Sequence, residues 1–200
     1  MLRFGFVCCA VLLCFSFSFR VTYANVSNHY LLELQQQAKQ QQLSSERVWR
    51  LLLKYNKKTF GGVVSEADGM DFFNSPTGKT DPESELAATL ASFFVPIEQL
   101  ADGKEHPQCN FPARFKWLSR QLQFDPHRIQ IQHCDRLNRW MTTLDPVGVT
   151  LVFASYFLNN PASMFGHTLI RIDSRRTGPD NQLINYGANY AAEPDTENAF

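Results

Sequence analysis

The residue with the clearest potential for chemistry is His167, which follows Gly166 and opens a segment of alternating apolar and polar residues. A neutral imidazole can accept a proton from a thiol or hydroxyl, because its reference pKa of about 6.5 lies close to neutral pH. Asn160 and Pro161 predict a capped helical turn that leads into His167. A core histidine hydrogen-bonded to a backbone carbonyl is the alternative, and the residues alone leave both open.

The sequence near His167 offers it no obvious nucleophile. Ser155 and Ser163 lie close by, but neither stands in the Gly-x-Ser-x-Gly motif of a nucleophile elbow. Cys109 and Cys134 are expected to be oxidised to each other, whereas only a thiolate attacks a carbonyl carbon. The residues therefore indicate a base whose partner is not identified.

The cysteines indicate a structural disulfide. The chain has five cysteines, three of which fall in its first 24 residues. Cys109 and Cys134 are then the thiols of the exported chain, and an oxidising compartment favours a bond between them, which would stabilise the fold by roughly 3–4 kcal/mol. A zinc site of His106, Cys109, His133 and Cys134 is the alternative, but adjacent side chains such as those of His133 and Cys134 diverge. We predict no metal and no other cofactor.

The first 24 residues have the pattern of a Sec-type signal peptide. Arg3 supplies a positive start, an apolar run extends from Phe4 to Phe19, and Thr22-Tyr23-Ala24 offers small residues for cleavage. An uncleaved anchor is the alternative, although Arg20 closes the run before the roughly 20 residues that span a bilayer. We therefore expect export to the periplasm or cell envelope.

The charge balance argues against nucleic acid as a partner. The chain has 19 basic and 19 acidic residues, and removal of Arg3 and Arg20 with the signal leaves 17 basic residues and a net charge near −2. Nucleic-acid-binding domains carry a clear basic excess. The exported protein does not.

Residues 25–145 form a predicted helical region. Residues 27–42 are glutamine-rich and predict a first helix with a weak apolar face. A second helix is predicted to begin at Ser44 or Ser45 with a serine cap. Its apolar stripe comprises Val48, Leu51, Leu52 and Tyr55. Glycine and proline predict a connecting loop over residues 60–79.

Further helices follow in the same region. Asp81, Pro82 and Glu83 place an N-cap, a first-turn proline and an early acid in order, and predict a helix that Pro96 ends. A short amphipathic helix is predicted within residues 109–123, and a last helix over residues 134–144. On the helix within 109–123 the solvated face comprises Arg114, Lys116 and Arg120.

From residue 147 the sequence favours strands. Residues 149–157 are rich in β-branched and aromatic side chains and predict a buried strand. Residues 168–173 alternate in polarity and predict a second strand, with which residues 183–191 pair as a third. Three strands without a covering element leave an open sheet face, so residues 147–200 are predicted to be the first part of an incomplete domain. The fold class is α+β with an antiparallel sheet.

Arg171 is predicted to share a strand face with His167, because alternate residues of a strand point the same way. It either orients a substrate or pairs with Asp173, and pairing is the simpler role.

Several segments resemble one known family. Residues 154–173, which read Ala-Ser-Tyr-Phe-Leu-Asn-Asn-Pro-Ala-Ser-Met-Phe-Gly-His-Thr-Leu-Ile-Arg-Ile-Asp, are similar to the signature of the Lnb N-terminal periplasmic domain family, and residues 189–192 resemble its next block. Upstream, residues 81–90 and 109–118 are similar to segments of its longer proteobacterial members. The resemblance covers most of the exported chain.

The resemblance implies a circularly permuted papain-like fold of the NlpC and lecithin:retinol acyltransferase type. His167 matches the family's histidine, and the nucleophile would be the cysteine of an Asn-Cys-Ser or Asn-Cys-Thr motif that these 200 residues do not contain. The implied reaction is thiol-dependent acyl transfer or amidase-like hydrolysis on a lipoprotein, lipid or peptide in the envelope, with this fragment alone inactive. Asn160 and Arg171 are the candidate substrate-binding residues.

A non-enzymatic envelope module is the competing hypothesis. It would bind lipid or another protein through the helical region and use the sheet as a scaffold, and peripheral contact with the membrane is compatible with both hypotheses.

Overall fold

The computed structural model describes residues 29–154, 167–176 and 186–188. The chain divides into two compact units, Met1–His133 and Cys134–Phe200. The described part of the first unit is mainly helical, and that of the second combines a helix with an antiparallel sheet. The predicted α+β class and antiparallel sheet are confirmed, whereas the predicted signal peptide lies outside the described residues.

The first unit alternates short helices and turns with one β-hairpin. Helix α1 covers residues 29–40. The other helices are α2 (Arg47–Leu52), α3 (Pro82–Ser92), α4 (Pro107–Asn110) and α5 (Pro112–Gln121). Strands β1 (Tyr55–Lys57) and β2 (Val63–Ser65) pair antiparallel, and short 3-10 turns occupy Leu43–Ser45, Met70–Phe72 and Ile97–Gln99.

Two predictions for the start of this unit are wrong. Ser44 and Ser45 belong to a 3-10 turn, and Glu46 precedes α2 without a capping bond from its side chain. Tyr55 opens β1 and is not on a helical stripe, because Lys54 adopts a left-handed backbone with φ 54° that turns the chain out of α2. The segment predicted as a connecting loop, residues 60–79, contains strand β2, which pairs with β1.

The capping signal at α3 is confirmed. The Asp81 carboxylate accepts hydrogen bonds from the backbone N–H groups of Glu83 (3.1 Å) and Ser84 (3.0 Å), and Pro82 occupies the first helical turn. These bonds satisfy donors that a helix leaves unpaired at its start. The helix ends at Ser92, before Pro96.

The core of the first unit is apolar and rich in aromatics. Trp49 and Trp117 stack at 5.8 Å between ring centroids, and the Trp49 indole donates to the carbonyl of Pro82 (3.1 Å). This joins α2 to α5 and to the start of α3. The buried core residues are Tyr30, Leu34, Ala38, Leu43, Trp49, Leu53, Tyr55, Leu86, Leu90, Phe93, Leu118, Leu122 and Ile129.

The described part of the second unit begins with α6 (Asp135–Leu144), which ends where Asp145 adopts a left-handed backbone with φ 39°. Strands β3 (Pro146–Ala154), β4 (His167–Ser174) and β5 (Tyr186–Ala188) follow and form one antiparallel sheet in the order β3-β4-β5. The predicted helix over 134–144 and the second strand are confirmed, and the first strand is confirmed as far as Ala154. The third is confirmed over the residues that the structure describes.

The prediction that the first strand is buried is wrong. Val149, Leu151 and Phe153 of β3 are 69%, 71% and 64% exposed, and Ile170 beside them on β4 is 45% exposed. These residues share one face of the sheet because they alternate with Thr150 and Val152. β-branched and aromatic composition predicts a strand, but it does not show which of its faces is covered.

Candidate functional site

His167 takes its place from the register of the sheet. It is the first residue of β4, which lies between β3 and β5, and it pairs with Ala154. The pairing runs without a shift from Ala154–His167 to Gly148–Asp173, so strand alternation puts positions 167, 169, 171 and 173 on one face. The structure thus places positions 167 and 171 on one face, as predicted from the alternation.

Arg171 is held by two neighbours on that face. Its Nε donates to Asp173 Oδ1 (2.8 Å), its Nη2 donates to Thr150 Oγ1 (3.3 Å), and the Thr150 hydroxyl donates to Asp173 Oδ2 (2.6 Å). The hydrogen bond from Thr150, followed by that from Arg171, lowers the pKa of Asp173 below its usual value. The predicted Arg171–Asp173 pair is therefore confirmed.

In this cluster Arg171 pairs with a neighbouring carboxylate, and its role in substrate binding remains a prediction. The carboxylate of Asp173 balances the guanidinium charge, so the cluster does not present a net positive charge to an anionic substrate. Because Thr150 lies opposite Arg171 across the β3–β4 pair, the three side chains also fix the strand register. Sequence reasoning missed Thr150, which the cross-strand pairing identifies.

The other predicted residues near His167 lie outside the described part of the chain. They are Asn160, Ser155 and Ser163, together with the capped turn that precedes His167. The substrate-binding role of Asn160 remains a prediction.

Cys109 and Cys134 form the predicted disulfide. Their bond removes both thiolates from the alternative zinc site. The His106 ring is also engaged, since its Nε2 contacts the Val95 carbonyl (2.9 Å) and its Nδ1 accepts from the backbone N–H of Gln108 (3.2 Å) at the start of α4. Among residues 29–154, 167–176 and 186–188, no group of three His, Cys, Asp or Glu side chains is arranged to hold a metal.

The first unit contains a buried ion pair that the sequence did not reveal. Arg114 was predicted on a solvated face, but its side chain is 4% exposed and its Nη1 lies 3.1 Å from Oε1 of Glu85, which is fully buried. The guanidinium also donates to the Phe72 carbonyl (2.7 Å) and lies over the rings of Phe72 and Phe111. The prediction for Arg114 is therefore wrong, because an internal carboxylate balances its charge.

Glu85 organises the loop before α3 as well. Its carboxylate accepts from the backbone N–H groups of Asn74 (3.0 Å) and Ser75 (2.8 Å) and from the hydroxyl of Thr89 (3.1 Å). Nearby, the buried Tyr55 hydroxyl donates to the carbonyl of Gly78, and burial followed by the charge of Glu85 raises its pKa. The spacing of Glu85 and Thr89, one turn apart beside the buried Leu86, is the signal that sequence reasoning overlooked.

These polar groups satisfy one another. Within the described residues, no buried side-chain nitrogen or oxygen lacks a hydrogen-bond partner. Burial lowers the pKa of Arg114, and the charges of Glu85 and Tyr55 oppose that change. A network with every member paired acts as a structural support, because none of its groups is available to a substrate.

A groove of about 280 Å³ lies beside α1 and α3. Ala38, Leu86 and Ala87 give it an apolar floor, and Lys39 and Glu83 form an ion pair at its edge (2.9 Å). The two charged side chains of its lining therefore balance each other.

Two family models match separate segments of the chain. Residues 136–200 match the family model described as the Lnb N-terminal periplasmic domain, and residues 41–121 match a domain of unknown function, DUF7843. No curated protein and no solved structure matches the chain.

The class of protein follows from these matches and from the disulfide. A periplasmic domain family and a disulfide both indicate an envelope protein of the periplasm. The sheet-bearing part is similar to the Lnb N-terminal periplasmic domain, and the helical part is similar to DUF7843. None of the helices in the described ranges has the length and apolar character needed to cross a bilayer.

Proposed function

We propose that this chain is part of an exported, cysteine-dependent acyltransferase or amidase-like hydrolase in which His167 is the base. The observation that supports the proposal best is the position of His167 at the start of β4, within the segment similar to the Lnb N-terminal periplasmic domain. Permuted papain-like domains of the NlpC and lecithin:retinol acyltransferase type carry their histidine on such a strand. We propose that fold for residues 147–200.

The reaction starts with transfer of a proton from a cysteine thiol to the His167 imidazole. The thiolate then attacks an ester carbonyl, a carbon–sulfur bond forms, and the alcohol leaves with the proton returned by the imidazolium. An amine or water next takes the acyl group from the thioester. On a lipoprotein, this sequence moves an acyl chain at the N-terminal cysteine and makes the lyso form. A lipid or peptide substrate fits the same chemistry.

The nucleophile of this proposal lies outside these 200 residues. Three of the five cysteines belong to the predicted signal peptide, and Cys109 and Cys134 are bonded to each other. An Asn-Cys-Ser or Asn-Cys-Thr motif in the full-length protein would supply it, so these 200 residues alone should be inactive.

Extension of the reading frame tests this directly. The proposal predicts that motif downstream of residue 200, with acyl transfer lost when its cysteine is changed to alanine. A full-length protein without such a motif would refute the assignment.

A second candidate is an envelope module that binds lipid or protein without catalysis. It would bind through the helical first unit and use the antiparallel sheet of the second unit as a scaffold. If a full-length His167→Ala variant kept every phenotype of the wild type, this second function would replace the first.

A further inference from the structure

The tip of the β1–β2 hairpin presents an aromatic ring to solvent. Lys58 to Gly62 connect the two strands, and within this loop the Gly61 N–H donates to the Lys58 carbonyl (3.3 Å) and the Lys58 N–H to the Gly62 carbonyl (3.1 Å). Phe60 lies at the apex and is fully exposed, at 101%. Gly61 and Gly62 follow with φ of 90° and 77°, and space for a side chain is open at both.

The base of the hairpin is anchored to the core. The Ser65 hydroxyl donates to the Leu53 carbonyl (2.6 Å), and the Ser65 N–H donates to the Lys79 carbonyl (2.8 Å). The Tyr55 hydroxyl is bonded to the Gly78 carbonyl inside the fold. The exposed tip is therefore carried on a firmly held base, and exposure of Phe60 is a property of the folded unit.

Positive charge accompanies Phe60. Residues 47–65 contain no acid and five basic residues, although the whole chain has equal numbers of both. Lys57 and Lys58 lie just before the apex and are exposed. Across the described part of the chain, neither lysine appears in an ion pair with an acid.

A single exposed apolar side chain is ordinary on a protein surface and does not indicate a partner by itself. Its combination with basic residues indicates a partner that is both apolar and negatively charged. Aromatic rings partition into the interface of a bilayer, and lysines beside them are attracted to anionic headgroups. A protein partner would instead be expected to meet a broader apolar patch with a polar rim. The hairpin apex is narrow and carries one aromatic ring beside two lysines. It therefore fits a lipid surface better than a protein partner.

We propose that the hairpin tip, residues 57–62, docks on an anionic lipid surface. Phe60 enters the interface, and Lys57 and Lys58 lie against the headgroup phosphates. The contact is weak and reversible, because it has one apolar side chain and a small cluster of charges. This inference goes beyond the catalytic proposal and does not depend on it, since vesicle binding and acyl transfer are measured separately.

Vesicle cosedimentation tests it with the protein purified from the periplasm after export. Wild type should bind vesicles of phosphatidylethanolamine and phosphatidylglycerol more tightly than vesicles of phosphatidylcholine. Phe60→Ala should weaken binding roughly tenfold or more, and Phe60→Leu should retain most of it. Lys57→Gln with Lys58→Gln should weaken binding about 25-fold at low salt, at about fivefold per lysine.

Matched variants remove equivalent groups elsewhere. Leu32→Ala deletes an apolar side chain that is 63% exposed on α1, and Lys116→Gln with Arg120→Gln removes two exposed charges from α5. Both should bind like wild type. The proposal is overturned if wild type does not bind anionic vesicles, or if the hairpin variants bind as well as these controls. It is also overturned if a photo-crosslinker at position 60 captures a protein in cells and no lipid.

Discussion

Replacing Glu85 with glutamine should destabilise the first unit strongly. The Glu85→Gln change keeps the size of the side chain but removes the charge that faces Arg114, of which only 4% is exposed. It also turns one acceptor oxygen into an amide donor, where the carboxylate now accepts the N–H groups of Asn74 and Ser75. The variant thus leaves the buried Arg114 guanidinium without its counter-charge, and one backbone N–H group of Asn74 or Ser75 without its acceptor.

The expected loss is about 3–5 kcal/mol in the free energy of unfolding. Removal of one partner of a buried pair costs this much because the remaining charge stays buried and uncompensated. A domain has about 5–15 kcal/mol in total, so the loss is a large part of its stability. The carbonyl of Phe72 and the rings of Phe72 and Phe111 remain beside Arg114 and hold the loss below that of an isolated buried charge.

Urea unfolding followed by tryptophan fluorescence measures this change. The stacked rings of Trp49 and Trp117 lie in the core of the same unit and report its unfolding. Glu83→Gln is the matched control, because Glu83 also belongs to α3 and pairs with Lys39, but its side chain is 59% exposed. That surface pair should contribute no more than about 1 kcal/mol.

Similar losses for the two variants would refute the reasoning. They would show that burial of the Glu85–Arg114 pair does not set its contribution. The reasoning would also be refuted if Glu85→Gln unfolded at the same urea concentration as the wild type.

Two further predictions concern His106 and the disulfide. Burial lowers the pKa of His106, so the stability it provides is complete above its unfolded pKa of about 6.5 and is lost as the pH falls through its folded pKa. Asn at position 106 keeps an acceptor at the start of α4 but does not titrate, so urea unfolding of His106→Asn should show a weaker loss of stability as the pH falls below about 6.5. A pH profile identical to that of the wild type would contradict this role. Changing Cys109 and Cys134 to serine together should lower stability by about 3–4 kcal/mol. The native exported protein should not react with a thiol reagent at either position, and labelling there without reductant would disprove the bond.

Local signals explain the parts of the fold that the sequence predicts. Asp81 and Pro82 predict the start of α3 because helix capping depends on residues only a few positions apart. Cys109 and Cys134 predict their disulfide because the other three cysteines lie in the predicted signal peptide. The alternation of residues 168–173 locates β4, whose register then places Arg171 beside Thr150 and Asp173.

The parts that the sequence did not predict depend on distant contacts. Tyr55 follows a helix at helical spacing, but its hydroxyl reaches Gly78, and the three-residue strands of the hairpin are too short to show a period. Arg114 resembles a surface residue until Glu85, 29 positions earlier, supplies its counter-charge. The exposed face of β3 depends on what packs against it, which strand composition does not encode.

Acyl transfer by the full-length protein carrying His167→Ala tests the central proposal most directly. The substrate is a diacylated lipoprotein, and mass spectrometry of its N-terminal cysteine detects the lyso form. Thr168→Ala is the control, because Thr168 is exposed and occupies the next position of β4, on the opposite face. The account predicts that His167→Ala loses the reaction while Thr168→Ala keeps it, and a His167→Ala protein that makes the lyso form at the wild-type rate would contradict it.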